Sequence, residues 1–233
     1  MLQQIDRDLW VASQPLKFMG LPVGTRMTVI RLADNSLLLI SPIEITSQLK
    51  EQLDNLGSVK YLIAPNLFHH LYLEQCQDIY TQAIAIAPPG LSDKRPNLRI
   101  DRVFTQDKID FNSEVEYTLL AGFQVYVPPK IQAVNEIVFY HPSSKTLIIT
   151  DSAFNFDDSF PWITKLAATA IDSYKILKPS WLEKIAIKDK HEVQKSIQRI
   201  LSWDFERVIM AHGSICQTNA KQQLSSGYHW LIS

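Results

Sequence analysis

The sequence predicts an α/β protein in which residues 1–233 form a single domain. Strand-sized apolar segments alternate with segments of helical periodicity along most of the chain. Hydrophobic residues make up 46% and charged residues 20% of the composition, which is typical of a globular domain with a substantial core. There is no repeat of fixed period, no low-complexity tract and no linker that divides the chain.

Hydrophobic patterning separates the predicted helices from the predicted strands. Residues 27–32 and 36–40 are rich in aliphatic and β-branched side chains and flank the turn Ala33-Asp34-Asn35, which predicts a β-hairpin. Residues 45–56 instead carry apolar side chains at helical spacing, and Gly57 follows where a glycine commonly ends a helix.

The same criteria assign the remaining elements. The predicted strands are residues 9–12, 27–32, 36–40, 61–64, 83–87, 111–117, 136–140, 145–150 and 207–211. The predicted helices are residues 45–56, 74–83, 192–203 and 219–231. The proline- and charge-rich segment 88–96 is predicted to be a loop.

Charge and cysteine usage exclude several classes of protein. A net charge of −1 gives no electrostatic footprint for nucleic acid or for an anionic membrane surface. The longest apolar runs are strand-sized, far short of the roughly 20 residues of a membrane helix, and the N-terminus lacks the apolar stretch of a signal peptide. Cys76 and Cys216 cannot form a disulfide framework. We expect a soluble, cytoplasmic protein whose partner is a small molecule; the sequence indicates no oligomeric state.

Potential metal ligands follow three of the predicted strands. His69 and His70 come shortly after residues 61–64, Asp151 ends the segment 146–151, and His212 follows the last strand. Loops at strand ends are where α/β scaffolds usually place their chemistry, and imidazole and carboxylate bind divalent metals without thiolates. Taken singly, each residue also has a plain structural interpretation: a surface or turn histidine, or an aspartate capping a helix.

The order of these motifs resembles that of the metallo-β-lactamase superfamily. Residues 139–155 (FYHPSSKTLIITDSAFN) resemble its strand-turn-strand leading to a metal-binding aspartate, and residues 208–213 (VIMAHG) resemble its C-terminal histidine motif. The hairpin ending in Ser41-Pro42 resembles the segment that usually reads aliphatic-Asp-x-Gly. The likeness is greatest to an uncharacterised branch, a domain of unknown function with a PNxxHH signature. The resemblance implies a four-layer αββα sandwich.

The chain departs from the superfamily at its first motif, HxHxDH. With His70 on the last position, His69 falls on the aspartate, while Leu67 and Pro65 replace the first two histidines. The third histidine motif falls near Gln132. The resemblance therefore implies that one of the two metal sites is lost.

The surviving site is expected to hold one divalent metal, zinc before iron or manganese. The implied ligands are His69, His70, Asp151 and His212. Three histidines and a carboxylate already fill a tetrahedral zinc shell, which is the signature of a closed site, so hydrolysis would require a higher coordination number.

Three further residues are expected to orient these ligands. Glu136 begins an apolar strand, where a carboxylate is costly unless it is paired or exposed. It is interpreted as a group that orients a histidine, or alternatively as the polar edge of the strand. Asn66 lies near the paired histidines and is interpreted as orienting one ring or as capping the turn, and Asn155, after Asp151, is interpreted in the same way.

Three functional hypotheses follow. The chain is a mononuclear metallo-hydrolase acting on a small ester, thioester or lactone; or it is a non-catalytic ligand-binding or interaction module on a degenerate fold; or, with less support, it is an iron-dependent redox protein. Metal content and an open coordination position distinguish them.

Overall fold

Strands and helices alternate along the chain, as the sequence predicts. The computed structural model describes residues 1–104, 109–127 and 130–232, with the side chains of 125–127 and 186 not described. The strands are β1 (Gln3–Asp6), β2 (Leu9–Gln14), β3 (Lys17–Phe18), β4 (Leu21–Pro22), β5 (Thr25–Arg31), β6 (Ser36–Ile40), β7 (Ser58–Ile63), β8 (Ile84–Ala87), β9 (Arg102–Val103), β10 (Glu116–Leu120), β11 (Gln124–Val127), β12 (Lys130–Ala133), β13 (Glu136–His141), β14 (Thr146–Ile148) and β15 (Arg207–Ile209). The α-helices are α1 (Ser47–Leu56), α2 (Leu73–Ile79), α3 (Leu91–Lys94), α4 (Trp162–Ala170), α5 (Trp181–Ala186), α6 (Lys190–Ser202), α7 (Ala220–Gly227) and α8 (His229–Ile232).

Two sheets form the centre of the molecule. The larger has seven strands in the order β1-β2-β5-β6-β7-β8-β9, and the smaller has four in the order β10-β13-β14-β15. Strands β6 to β9 are mutually parallel, and β14 is parallel to β15. Short hairpins, β3-β4 and β11-β12, lie outside the two sheets.

Alternating side chains of each strand enter two different cores. In β2, Trp10 and Ala12 pack with the apolar side chains of α1 and α2, whereas Leu9 and Val11 point to the other face. That second core also contains Phe139 of β13, so it lies between the two sheets. A third core packs the smaller sheet against α6, α7 and α8. Helices therefore cover the outer face of both sheets, which is the predicted four-layer αββα sandwich.

Most of the predicted elements are present, with shifts at their ends. The hairpin, the helix before Gly57 and the helix at α6 are confirmed. The predicted strand 111–117 is wrong, because Phe111 is a buried loop residue and β10 begins at Glu116. The segment 88–96 contains the short helix α3, and the predicted C-terminal helix is split into α7 and α8. Helices α4 and α5 were not predicted.

Parallel pairing determines where the functional residues lie. Because β6, β7 and β8 are parallel, the residues after them, including Ser41 and Asn66, meet at one edge of the larger sheet. Strands β14 and β15 are also parallel, so Asp151 and His212, which follow them, lie together at one edge of the smaller sheet. The backbone N–H of Ile137 donates to the Pro65 carbonyl over 2.7 Å and joins the two sheets at this edge. Within the described ranges, no helix is both long and apolar enough to cross a membrane.

Gly57 shows how closely the elements of this layer approach. Its backbone is extended, so its role is not a left-handed turn. A Cβ at this position would lie 2.1 Å from the Asn35 carbonyl oxygen, and the adjacent N–H of Ser58 donates to that same oxygen over 3.2 Å. Only a residue without a side chain leaves room for this contact.

We expect Gly57→Ala to lower the free energy of unfolding by about 3 kcal/mol, more than the control below, because α1 and β7 must separate from the Asn35 turn. Urea denaturation measures the change. Gly20→Ala is the matched control, since Gly20 has φ +83° but nothing within 4 Å of the added Cβ. We expect Gly20→Ala to lower the free energy of unfolding only by the backbone strain of an alanine at positive φ, roughly 1–2 kcal/mol. Equal stability of Gly57→Ala and the parent protein would contradict the close-approach argument.

Candidate metal centre

Three side chains from three strand ends converge at this edge. They belong to His69, Asp151 and His212, and one ligand atom from each lies within 4.8 Å of the others. His69 Nε2 is 3.3 Å from one Asp151 carboxylate oxygen, and His212 Nε2 is 3.5 Å from the other. The carboxylate thus lies between two imidazoles, whose ring centroids are 5.0 Å apart.

The second nitrogen of each ring is held by a hydrogen-bond partner. His212 Nδ1 is 2.5 Å from the Gly24 carbonyl, and because a carbonyl only accepts, this nitrogen carries the proton. His69 Nδ1 is 2.8 Å from the Ser41 hydroxyl. Such contacts fix the tautomer of a metal-binding histidine. Both rings consequently present Nε2 toward Asp151.

Ser41 is held in a conformation that non-glycine residues rarely adopt. It follows β6 directly, has φ +56°, and its N–H donates to the Ile63 carbonyl over 3.0 Å. Its side chain is almost fully buried beneath the His69 ring. Strain of this kind persists where the surrounding structure enforces it and is common at functional sites.

Asn66 connects the histidine loop to the aspartate. Its side-chain oxygen accepts from the N–H groups of Phe68 and His69, both over 2.8 Å. Its amide donates to Asp151 Oδ2 over 2.7 Å and to the Thr150 hydroxyl over 3.0 Å. Asn66 is completely buried, so these contacts satisfy a side chain that burial would otherwise penalise.

Glu136 holds the backbone that carries Asp151. Its fully buried carboxylate accepts from the N–H groups of Thr150 and Asp151, over 2.8 and 2.9 Å, and from the Ser152 hydroxyl over 2.9 Å. Burial and the nearby Asp151 charge raise the pKa of Glu136 to about 7, against the opposing effect of these donors. Glu136 is therefore not an exposed strand edge.

Asn155 lies beside the loop that follows His212. Its carbonyl accepts from Ser214 N–H over 2.7 Å, and its amide donates to the Ser214 carbonyl over 3.2 Å. Gly213 between them has φ +94°, and a Cβ there would lie 2.5 Å from the Asn155 oxygen. Asn155 thus contacts the loop through the backbone and makes no hydrogen bond to the three clustered side chains.

The structure does not bring His70 into the cluster. The His70 ring is buried, and its Nδ1 lies 3.2 Å from Arg95 Nη1. Burial, together with the charges of Arg95 and Lys94, lowers the pKa of His70 to about 4. The neighbouring histidines of the PNxxHH motif therefore point to different surroundings, and three of the four expected ligands meet.

Charge at the cluster is dominated by Asp151. Burial disfavours the charged forms of all three groups, but the carboxylates of Asp151 and Glu136 outweigh it and raise the pKa of His69. The pKa of Asp151 is held far below its usual range by His69, His212 and Asn66, against the effect of burial. Burial lowers the pKa of His212 to about 4. Asp151 is thus ionised and His212 neutral at pH 7.

Arg26 on β5 is a contributor that sequence analysis missed. Its guanidinium donates to the Met210 carbonyl over 2.6 Å and to the Gly213 carbonyl over 2.9 Å, on either side of His212. Gly24, two residues earlier, accepts from the His212 ring. Gly24 and Arg26, at the start of β5, therefore hold the His212 ring and the backbone on both sides of it. An arginine in the run TRMTVIR, among apolar residues of a buried strand, was the available signal.

Burial makes Arg26 sensitive to substitution. Burial alone lowers its pKa to about 10, and its Nε is buried without a hydrogen-bond partner among the described residues. A lysine would keep the charge but could not donate to both carbonyls in the geometry of a guanidinium.

We expect Arg26→Lys to lower the free energy of unfolding by about 1–3 kcal/mol, because one buried carbonyl beside His212 loses its donor. Urea denaturation measures this loss. Arg31→Lys is the control on the same strand: Arg31 pairs with Asp8 where both side chains are partly exposed, so we expect a change below about 1 kcal/mol. Equal losses of unfolding free energy at the two positions would show that the hydrogen bonds from Arg26 to the His212 loop add no stability beyond that of an exposed ion pair.

The donor set fits a divalent metal ion. Two imidazole nitrogens and a carboxylate oxygen converge, the opposite ring nitrogens are hydrogen-bonded, and the carboxylate is itself held by Asn66. These are the ligand types and the outer hydrogen bonds that zinc and iron sites use.

Comparison with known structures supports the fold at high probability. The chain aligns with a metallo-β-lactamase from Pontibacter korlensis at TM-score 0.65 and 14% identity, covering 99% of this chain and 98% of that one. It aligns with the mono-zinc form of the metallo-β-lactamase FIM-1 from Pseudomonas aeruginosa at TM-score 0.64 and 8% identity, covering 100% and 96%. A metal-soaked flavodiiron core, Flv1 from Synechocystis, aligns at TM-score 0.65 and 12% identity, covering 99% and 60%.

At these identities the comparisons establish the metallo-β-lactamase fold and nothing finer. A search of curated proteins found no match. A family model described as a domain of unknown function, DUF4336, matches residues 6–179, a span that includes His69 and Asp151 and ends before His212. This match covers most of the chain, and the protein therefore belongs to the DUF4336 family, an uncharacterised family with the metallo-β-lactamase fold.

Proposed function

We propose that this protein is a metal-dependent hydrolase with one mononuclear centre, acting on a small ester, thioester or lactone. The observation that carries the proposal is the convergence of His69, Asp151 and His212 within 4.8 Å. The fold adds support, since its solved relatives include a metallo-β-lactamase in a mono-zinc form.

The number of ligands favours catalysis over a purely structural role. The sequence suggested four protein ligands, which would close a tetrahedral zinc site. With His70 turned toward Arg95, three remain, and a tetrahedral ion keeps one position for water or substrate. A divalent ion held there would supply Lewis acidity and would lower the pKa of a water molecule toward neutrality.

The surrounding residues keep the ligand atoms in place. Ser41 and Gly24 hold the Nδ1 atoms of His69 and His212, so that both Nε2 atoms face the carboxylate. Asn66 binds one carboxylate oxygen of Asp151, and Glu136 holds its backbone N–H. Substituting such outer partners typically costs roughly 10–100-fold in metal affinity or activity.

An iron-dependent redox protein is the second candidate. Two histidines and one carboxylate also form the ligand triad of non-haem Fe(II) enzymes, and a flavodiiron core is among the structural neighbours. The third candidate, a ligand-binding module on an inherited fold, predicts a protein that takes up no metal. Metal identity and content therefore separate the three.

We expect chelator-free, tag-free protein to contain close to one zinc, iron or manganese per chain by elemental analysis. His69→Ala and Asp151→Ala should lose the metal, because each removes a ligand from a set of three. His70→Ala is the matched control: it alters the adjacent histidine of the same loop and should retain the metal.

Hydrolysis is then measured on p-nitrophenyl esters, thioesters and lactones in the Ser143→Ala background, so that the Ser143 hydroxyl, 3.0 Å from His141 Nε2, cannot contribute turnover. Loss of turnover in Asp151→Ala but not in His70→Ala supports the proposal. A protein that stays metal-free after reconstitution would support the ligand-binding module instead. Loss of metal in His70→Ala would show that His70 is a fourth ligand. Iron with oxygen consumption and no hydrolysis would favour the redox candidate.

Metal affinity should also depend on pH, because a ligand must be deprotonated to bind. The pKa of His69 lies above its ordinary 6.5 in the metal-free protein, so metal must displace a proton from it as pH falls through that pKa. We expect affinity to fall about tenfold per pH unit below it, one proton per metal. His212, with a pKa of about 4, adds a second proton only in stronger acid. Calorimetry in buffers of different ionisation enthalpy counts the protons, and a count of zero near pH 6 would contradict this assignment.

A further inference from the structure

A cavity lies at the edge of the sandwich opposite the metal centre. Strand β13 runs antiparallel to β14, so His141 at the end of β13 lies beside the start of β14, whereas Asp151 follows the end of β14. The cavity has a volume of about 720 Å³ and is lined in part by Arg7, Asp8, Arg31, Ser143 and His141. None of these residues belongs to the metal centre.

A serine and a histidine face each other in this cavity. Ser143, in the 3-10 helix Pro142–Ser144, places its hydroxyl 3.0 Å from His141 Nε2. The other nitrogen, His141 Nδ1, is 2.8 Å from the Ser144 hydroxyl. Ser143 is exposed while the His141 ring is 3% exposed, so the hydroxyl reaches solvent and the imidazole is shielded behind it.

The hydrogen bonds beyond Ser144 set the direction of this chain. The Ser144 hydroxyl donates to Thr146 Oγ1 over 2.9 Å, and the Thr146 hydroxyl donates to the Ser144 carbonyl over 3.0 Å. Arg207 Nη1 also donates to Thr146 Oγ1, over 3.2 Å. With its own proton committed to Thr146, the Ser144 oxygen accepts from His141 Nδ1–H, which leaves Nε2 to accept the Ser143 proton.

This is the arrangement of an activated nucleophile. A base within hydrogen-bond reach of a hydroxyl, and itself oriented by a third group, is the diagnostic pattern of nucleophilic catalysis. Burial lowers the pKa of His141, against the opposing effect of the Asp8 and Asp6 carboxylates, so the ring is neutral at pH 7 and able to take a proton. The same carboxylates lie close enough to stabilise the imidazolium that would form.

We propose that Ser143 and His141 form a second nucleophilic site, independent of the metal centre, that takes small carboxylic esters. Arg7 and Arg31 both pair with Asp8, at 3.4 and 2.7 Å, and Glu114 lines the same cavity, so the charges of its walls balance and favour an ester without high net charge.

The reaction proceeds by acyl transfer. Ser143 Oγ forms a bond to the ester carbonyl carbon as its proton moves to His141 Nε2. The carbon–oxygen bond to the alcohol then breaks, and the departing oxygen takes that proton from Nε2. Water repeats the sequence on the acyl-serine, releasing the carboxylic acid and returning the proton to Ser143.

A fluorophosphonate probe, which reacts with activated serines, tests the site. We expect one label on the full chain, mapped to Ser143 by peptide mass spectrometry, and none at that peptide in Ser143→Ala. His141→Gln should slow labelling roughly 100-fold, the contribution of a general base. Circular dichroism checks that His141→Gln is folded. If His141→Gln is unstable, Ser143→Ala still tests the proposal, because Ser143 is exposed and its substitution should not disturb the fold.

Two controls separate this site from neighbouring serines and from the metal centre. Ser113→Ala removes another serine that lines the same cavity, and it should leave labelling unchanged. Asp151→Ala and chelation should also leave it unchanged, since they act at the opposite edge. Equal labelling of several serines, labelling that persists in Ser143→Ala, or an unaltered rate in a folded His141→Gln would overturn the proposal.

Discussion

The burial of the Asp151 carboxylate is the constraint on which the rest of the site depends. An ionised carboxylate in a protein interior is costly unless its charge is balanced and its oxygens are hydrogen-bonded. Asn66 supplies a donor, His69 and His212 approach its two oxygens, and Glu136 holds the backbone from behind. Asn66 and His69 follow β7 of the larger sheet, whereas Glu136 begins β13 and His212 follows β15 of the smaller sheet, so the contacts of this carboxylate connect the two sheets at one edge.

Glu136 is a second buried carboxyl group at this edge, and its pKa of about 7 means that a nearby cation would favour its charged form. Burial disfavours the charged forms of both histidines, but the carboxylates of Asp151 and Glu136 raise the pKa of His69, whereas the pKa of His212 falls to about 4. A divalent ion held by His69 and Asp151 would place two positive charges beside these carboxyl groups. Arg26 stabilises the same region from the side of β5, although it acts on the carbonyls of the His212 loop and not on the carboxylates.

The sequence predicts the sandwich and the convergence of Asp151 and His212, because both depend on strand order. Asp151 and His212 directly follow short apolar strands, and parallel pairing brings such positions together whatever the details of the loops. The choice between His69 and His70 is different in kind. The two residues are adjacent, and the direction of each ring is fixed by Asn66, Ser41 and Arg95, which lie up to 28 positions away in the chain. The apolar sequence around Arg26 likewise gives no indication of which carbonyls its guanidinium meets.

The turn of one histidine away from the cluster changes what the site can do. The charge of Arg95 beside His70 disfavours a cation at that ring, so His70 could join the cluster only by breaking its contact with Arg95. If the cluster binds a tetrahedral ion, the three remaining ligands would leave one position for a substrate. In the proposed function, the reactive potential of the centre therefore depends on an interaction outside it, between His70 and Arg95.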